Sequence, residues 1–284
     1  LLISILIAIP FYLSNYQVTL VNSIFEAISG LTGTGFSIFK NIKYLDPTLI
    51  LWRSSSQWIG GLYFFLFLII IFSNKKFNYK MTDLIYSGDN SFKSEENIKG
   101  NIIKIVIIYS VLSFIIFTLL NISGLRLFNS LNMSMTLISG GGFLPTDDIG
   151  KIISTNFQKI ILFLSLLISM FNLFLLFNLF NKKNIINGHK EDLYLIIFLI
   201  LLFGLISFND YSAFHVIISI LSSLANSGLT LFEQENNLSL YFLFITIIGG
   251  SLISNTSGIK LIRFYILLKI TSAEIFKLIS PNSV

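Results

Sequence analysis

Several stretches of this sequence stay apolar for close to or beyond the ~20 residues a helix needs to cross a ~30 Å hydrocarbon core: residues 49–72, 102–120, 160–180 and 193–208. A water-soluble fold has no place for so many of them, so lipid is the solvent in which the chain folds. Composition agrees. Of the 284 residues 54% are hydrophobic and 12% charged, about half the charge of an average soluble domain. Residues 1–13 form a further apolar stretch with no Met, basic leader or cleavage pattern, expected to be the tail of a longer helix. The closing Ser280-Pro281-Asn282-Ser283 reads as a linker, so the chain is expected to be a fragment at both ends. With no cysteine, disulfides and thiolate metal sites are excluded.

Between the long runs lie three segments too short to span, 18–31, 128–138 and 214–224, each ~11–14 residues of helix-permissive sequence that a bilayer reads as re-entrant. Each leads into a run of small residues. On a common frame Thr32-Gly33-Thr34-Gly35-Phe36 lies over Ser139-Gly140-Gly141-Gly142-Phe143 and over Ala225-Asn226-Ser227-Gly228-Leu229. The last glycine falls in register each time, and so do Ile28, Met135 and Leu221, with Ser29, Thr136 and Ser222 beside them. A recurrence on the order of 100 residues is far longer than a solenoid period and implies a pseudo-symmetric bundle. The expected fold is therefore an all-α membrane protein, with helix, re-entrant pore loop and helix repeated around a central ion pore. The repeats are expected at 1–72, 100–181 and 193–284, joined by cytoplasmic connections at 73–99 and 182–192.

Non-helical backbone at membrane depth survives only where protein or a watery cavity satisfies its polar groups. Glycine there permits unusual backbone angles and leaves room for backbone to line a narrow passage. A ring of such segments can replace a cation's hydration shell with carbonyl oxygens, helped by Thr or Ser hydroxyls. Helix packing through small residues is the competing explanation for glycine in a membrane. It suits Gly60-Gly61 in the second long helix but not runs that follow sub-spanning helices. A separate series, Gly249-Gly250-Ser251-Leu252-Ile253-Ser254-Asn255-Thr256-Ser257-Gly258, interrupts an apolar helix. It reads as a broken helix lining a cavity, with a simple kink at Gly249-Gly250 as the alternative.

Charge placement orients the chain. Lys75, Lys76, Lys80, Lys93 and Lys99, then Lys182, Lys183 and Lys190, then Lys260, Arg263, Lys269 and Lys277 mark three cytoplasmic regions. Asp46, Asp147, Asp148, Glu233 and Glu235 fall on the opposite side, where a mildly acidic mouth concentrates cations. Arg53 beside Trp52 is expected to anchor its helix at the interface, and Lys260 and Arg263 to snorkel to the headgroups. Glu26 lies within a re-entrant helix, where it either holds the pore loop by accepting hydrogen bonds or biases cations inward. His189 and His215 lack partners at metal-ligand spacing. With no nucleophile elbow, P-loop or dinucleotide fingerprint, neither enzymatic activity nor direct ATP binding is expected, nor is a nucleic-acid partner.

Three motifs, residues 25–36 (FEAISGLTGTGF), 51–61 (LWRSSSQWIGG) and 258–263 (GIKLIR), resemble the Trk/Ktr/HKT potassium transporters, and in particular their Trk-type membrane subunit, over essentially the whole chain. That family has four helix, pore-loop, helix repeats around one pore. By resemblance the selectivity filter comprises Thr32, Gly33, Thr34 and Gly35, then Ser139, Gly140, Gly141 and Gly142, then Ala225, Asn226, Ser227 and Gly228. Potassium would sit at Gly33, Thr34, Gly140, Gly141, Asn226 and Ser227. The gate loop would comprise Gly249, Gly250, Ser254, Asn255, Thr256, Ser257 and Gly258, although Ile253 and Ser257 depart from the small residues usual there. The resemblance also implies a homodimer in a bacterial cytoplasmic membrane, a cytosolic nucleotide-binding regulatory subunit, potassium as the transported ion and no covalent cofactor. A fourth repeat is implied as well, without which the chain is expected not to conduct. A secondary transporter of sodium or another small solute, and a non-conducting fragment or scaffold, remain the alternatives.

Overall fold

The structure, a computed structural model, describes residues 2–72, 98–173, 175–176, 190–206, 213–231 and 236–279. Ten α-helices lie within them: α1 Leu2–Tyr12, α2 Leu20–Leu31, α3 Pro47–Phe72, α4 Ile98–Ile122, α5 Leu127–Ile138, α6 Asn156–Met170, α7 Lys190–Ile206, α8 Ala213–Ala225, α9 Asn236–Ile248 and α10 Leu261–Ile279. In the second unit helices of 25 and 15 residues flank one of 12, in the third a 17-residue helix is followed by two of 13, and the first unit opens on a short helix of 11. In contact terms α2 packs between α1 and α3, α5 between α4 and α6, and α8 between α7 and α9. Contacts of α3 with α4 and α5, and of α6 with α8, join neighbouring units. The result is the repeated, pseudo-symmetric all-α membrane architecture.

Local chemistry sets the helix starts. Thr19 caps α2 by accepting from Asn22 N, and Pro47, whose missing N–H is no loss in a first turn, opens α3. At α6, Thr155 and Gln158 form a reciprocal capping box, and Gln158 Nε2 donates to Ser123 O, tying the α6 start to the end of α4.

Burial follows the logic of lipid. On α4 the residues Ile105, Tyr109, Leu112, Ile116 and Leu120 face the protein, while Ile103, Ile107, Val111 and Phe114 are exposed on the opposite side. An apolar outer face is the expected partner of acyl chains. Within the described residues, Ile102–Ile122 is the segment whose length and hydropathy together suffice to cross a bilayer; α2 and α6 are shorter apolar helices.

Three expectations need correction or limits. The long apolar run at 160–180 does not continue as one helix. α6 stops at Met170, and Phe171 is extended because the backbone there pairs elsewhere: Ser251 N donates to Met170 O, Leu173 N to Ile253 O, and Asn172 N to Asp192 Oδ1. Most of the two connections at 73–99 and 182–192 lies outside the described residues, as does His189, but their last residues already belong to α4 and α7. The break at 249–258 is a true interruption, since α9 ends at Ile248 and α10 starts at Leu261.

Gly60 lets α3 cross the end of α2. A Cβ built there would stand 2.1 Å from Leu31 O, a backbone atom that cannot step aside. Gly204 on α7 has nothing within 4 Å of the same position. Gly60→Ala should therefore lower the stability of the intact protein by about 1–3 kcal/mol, whereas Gly204→Ala should be neutral or gain up to about 1 kcal/mol from helix propensity. Thermal unfolding in detergent measures both.

Candidate ion-binding site and its supports

The three small-residue runs adopt one backbone conformation. Gly33, Gly140 and Asn226, in register, take φ of 67°, 67° and 57°. At each, the residue donates to the carbonyl three back (Gly30, Leu137, Ser223), and the next residue donates to the carbonyl five back (Ser29, Thr136, Ser222) at 3.0 Å. This is the Schellman termination of a helix, made three times. It explains the asparagine: of the side-chain-bearing residues, Asn is among the few that visit the left-handed region readily. Asn226 then uses its amide to donate to Thr246 O on α9. What reads as a departure in the third run preserves the same turn.

Past the turns the strands converge. A Cβ on Gly35 would lie 3.2 Å from both N and Cα of Gly142, and one on Gly142 would lie 2.4 Å from Ser227 O. A Cβ on Gly33 would come within 3.7 Å of Ser139 O, and one on Gly140 within 3.5 Å of Ala225 O. The first run thus adjoins the second and the second adjoins the third, at two successive levels. Ser29 Oγ and Thr136 Oγ1 donate to Phe36 O and Phe143 O, pinning the strand ends to their own short helices. Ser222 Oγ pairs instead with Ser227 Oγ at 3.2 Å. The hydroxyls of Thr32 and Ser139 donate to Ile28 O and Thr136 O, so their protons are spent on the helices.

Side chains from α2 and α3 support these strands from behind. Gln57, fully buried, accepts from Phe143 N through Oε1, and a Cβ on Gly141 would meet its carboxamide at 2.3 Å. Glu26 accepts from Ser37 Oγ and Ile38 N at 2.9 Å and from Arg53 Nε at 2.8 Å. It holds the loop after the first run, one of its two expected roles. Arg53 overturns the expectation of interfacial anchoring. It is 1% exposed, bonded to Glu26 and Ser37, and its guanidinium lies 4.2 Å from the Phe143 ring centroid. Sequence position beside Trp52 suggested the interface; only the fold shows that Glu26 lies one helix away. A planar cation that stacks and bonds at once is chemistry that Arg performs and Lys does not.

The 249–260 loop reaches this assembly. Asn255 Nδ2 donates to Ile138 O, at the foot of the second run, and Asn255 O lies 3.4 Å from where a Cβ of Gly140 would be. Gly61 leaves the room: its Cβ would meet Asn255 Nδ2 at 2.8 Å, Tyr109 Oη at 2.7 Å and Ser139 Cβ at 3.2 Å. The loop folds on Gly249 and Gly258, both in the left-handed region, and on Gly250 N donating to Thr256 Oγ1. Glu191, at the start of α7, accepts from Leu252 N at 2.7 Å. Lys260 is a second correction. It does not snorkel to headgroups but is buried, with Nζ directed at residues 254 and 256. Arg263 is exposed, as a headgroup-facing cation requires.

Comparison with known proteins places this geometry. No family model matches the chain. An uncharacterized cation transporter of Methanocaldococcus jannaschii is 28% identical over 297 residues, covering 100% of this chain and 60% of that protein. The Trk system potassium uptake protein TrkG of Escherichia coli is 23% identical over 310 residues, covering 100% and 62%. The crystal structure of the potassium transporter TrkH from Vibrio parahaemolyticus superposes with a TM-score of 0.84 at 22% identity, over 99% of this chain and 61% of that one. The chain thus spans about three fifths of the length of the relatives it matches.

Because both partners of the Glu26–Arg53 pair are buried, removing either strands the other. Arg53→Met or Glu26→Gln alone should destabilise the intact protein by about 3–5 kcal/mol, and the double substitution by less than the sum. Unfolding midpoints of the four proteins in detergent complete the cycle.

Proposed function

We propose that the chain, whose fold is that of the potassium transporter TrkH, is a member of the Trk family of potassium uptake proteins and forms three walls of a potassium-conducting pore. The observation that carries this reading is the convergence of three identically turned glycine runs at Gly35, Gly142 and Ser227. We assign the selectivity filter to 32–35, 139–142 and 225–228, in repeats bounded at 1–72, 100–181 and 193–284. Each short helix ends in a turn that frees the backbone of the next few residues from helix bonding. Carbonyl oxygens so released can take the place of a cation's water. Glu26, Arg53 and Gln57 hold that backbone still without touching the ion. The 249–258 loop, with Asn255 beneath the second run, is the gate.

The role is transport rather than catalysis, as for the Trk relatives, and potassium is cargo rather than a resident cofactor. By the same family likeness we expect a fourth wall, a homodimer in a bacterial cytoplasmic membrane, and a cytosolic nucleotide-binding partner on the lysine-bearing face. The paired interruptions at 170–172 and 249–260 are also what an alternating-access carrier would use. A carrier, however, has no need of three matched turns.

Selectivity separates the two. Gly35→Ser and Gly142→Ser in the intact protein should reduce the preference for potassium over sodium, measured as uptake by cells lacking their own systems, by at least about tenfold, equivalent to ~1.4 kcal/mol. Uptake with unchanged selectivity would remove the filter assignment.

A further inference from the structure

Lys260 stands where three considerations each disfavour it. Its φ is +73°, a region costly for a residue that carries a long side chain and is neither Gly nor Asn. It is 6% exposed, so its ammonium has given up most of its water. It also immediately precedes α10, at the end where the helix dipole is positive and repels a cation. Neither anchoring nor capping explains such a position.

Its bonds do. Nζ donates to Ser254 O at 3.1 Å, Ser254 Oγ at 3.2 Å, Thr256 Oγ1 at 3.0 Å and Thr256 O. An ammonium has three N–H groups: the two carbonyls, which only accept, take two of them, and the two hydroxyls share the third. Ser254 and Thr256 are themselves buried and bonded to each other at 2.8 Å. Around the ammonium, Glu191 attracts and Arg263 repels, and Glu191 already holds Leu252 N. Asn255, caught between the two residues that Lys260 gathers, is the one that reaches Ile138 O below the second glycine run.

We propose that Lys260 is a built-in cation that latches the gate: its ammonium folds residues 254–256 into the turn that presents Asn255 to the base of the filter. Without the charge, the carbonyls of 254 and 256 have no common partner and the turn opens. Lys260 is a positioning residue, acting on the ion path through Asn255. The inference rests on the gate reading above, but the position of the loop can be measured whether or not ions flow.

The test uses the intact protein with a cysteine at Ile253, a 4% exposed loop residue outside the Lys260 cage; this segment contributes no cysteine of its own. Lys260→Met should raise the rate of I253C modification by a water-soluble methanethiosulfonate by at least about tenfold, the population change equivalent to ~1.4 kcal/mol. Basal rubidium flux into proteoliposomes should rise with it, whereas loss of a purely structural residue would lower flux. Asn255→Ala should raise flux and leave labelling at 253 unchanged. Labelling and flux both unaltered in folded K260M overturn the latch. Should K260M fail to fold, S254A/T256V, which removes two of the four acceptors, should give a smaller increase in labelling, and none counts against the proposal. Absence of rubidium flux in the unsubstituted protein would instead overturn the pore reading, and labelling would still decide the latch.

Discussion

A peptide group at membrane depth has only protein or enclosed water to bond with, and this fold is organised around three places where a helix ends at that depth. A helix terminus leaves four carbonyls unsatisfied. The left-handed turn at Gly33, Gly140 and Asn226 answers two of them at each site. It also sends the following residues away from the helix as extended backbone. The other features depend on that exit. Gln57 meets the second strand, Glu26 meets the loop after the first, and the hydroxyls of Ser29 and Thr136 fix where two strands finish.

Much of this was legible in the sequence, and the rest was hidden for identifiable reasons. The short helices found at 20–31, 127–138 and 213–225 match the segments expected at 18–31, 128–138 and 214–224 to within two residues. Hydropathy and small-residue runs are local signals, and a bilayer makes them strict. The α6 break at Met170 was not legible, because an apolar run of helix formers gives no sign that its carbonyl will be claimed by Ser251, about 80 residues later. Arg53 and Lys260 were misplaced for a related reason. A lone cation in an apolar stretch reads as interfacial when its counter-charge or oxygen cage lies on another element. The one clue available was the acid within a re-entrant helix, since a buried Glu26 asks for a cation somewhere. Asn226 shows the converse: it differs in identity from Gly33 and Gly140 but shares their backbone angle.

The buried charges divide into two kinds of structure. Glu26 and Arg53 form a buried ion pair with the Phe143 ring against the guanidinium, so each charge is met by a fixed partner. Among the described residues Lys260 has no carboxylate bonded to it and depends on four neutral oxygens of a loop that turns on two left-handed glycines. Rigid electrostatics stand behind the glycine runs and conditional electrostatics below them. That contrast suits the proposed pore, in which the filter would keep its dimensions while the exit changes.

The Glu26–Arg53 pair also bears on how the protein is made. Both residues belong to the first unit, on helices adjacent in sequence as well as in space. The arginine therefore meets its counter-ion as soon as α3 follows α2 out of the ribosome, and the pair can leave the insertion machinery already neutralised. Gln57, one turn further along α3, finds Phe143 N only after the second unit has been synthesised. During that interval its amide must be tolerated in lipid or shielded by the machinery, whereas the arginine, the costlier group to bury, never waits.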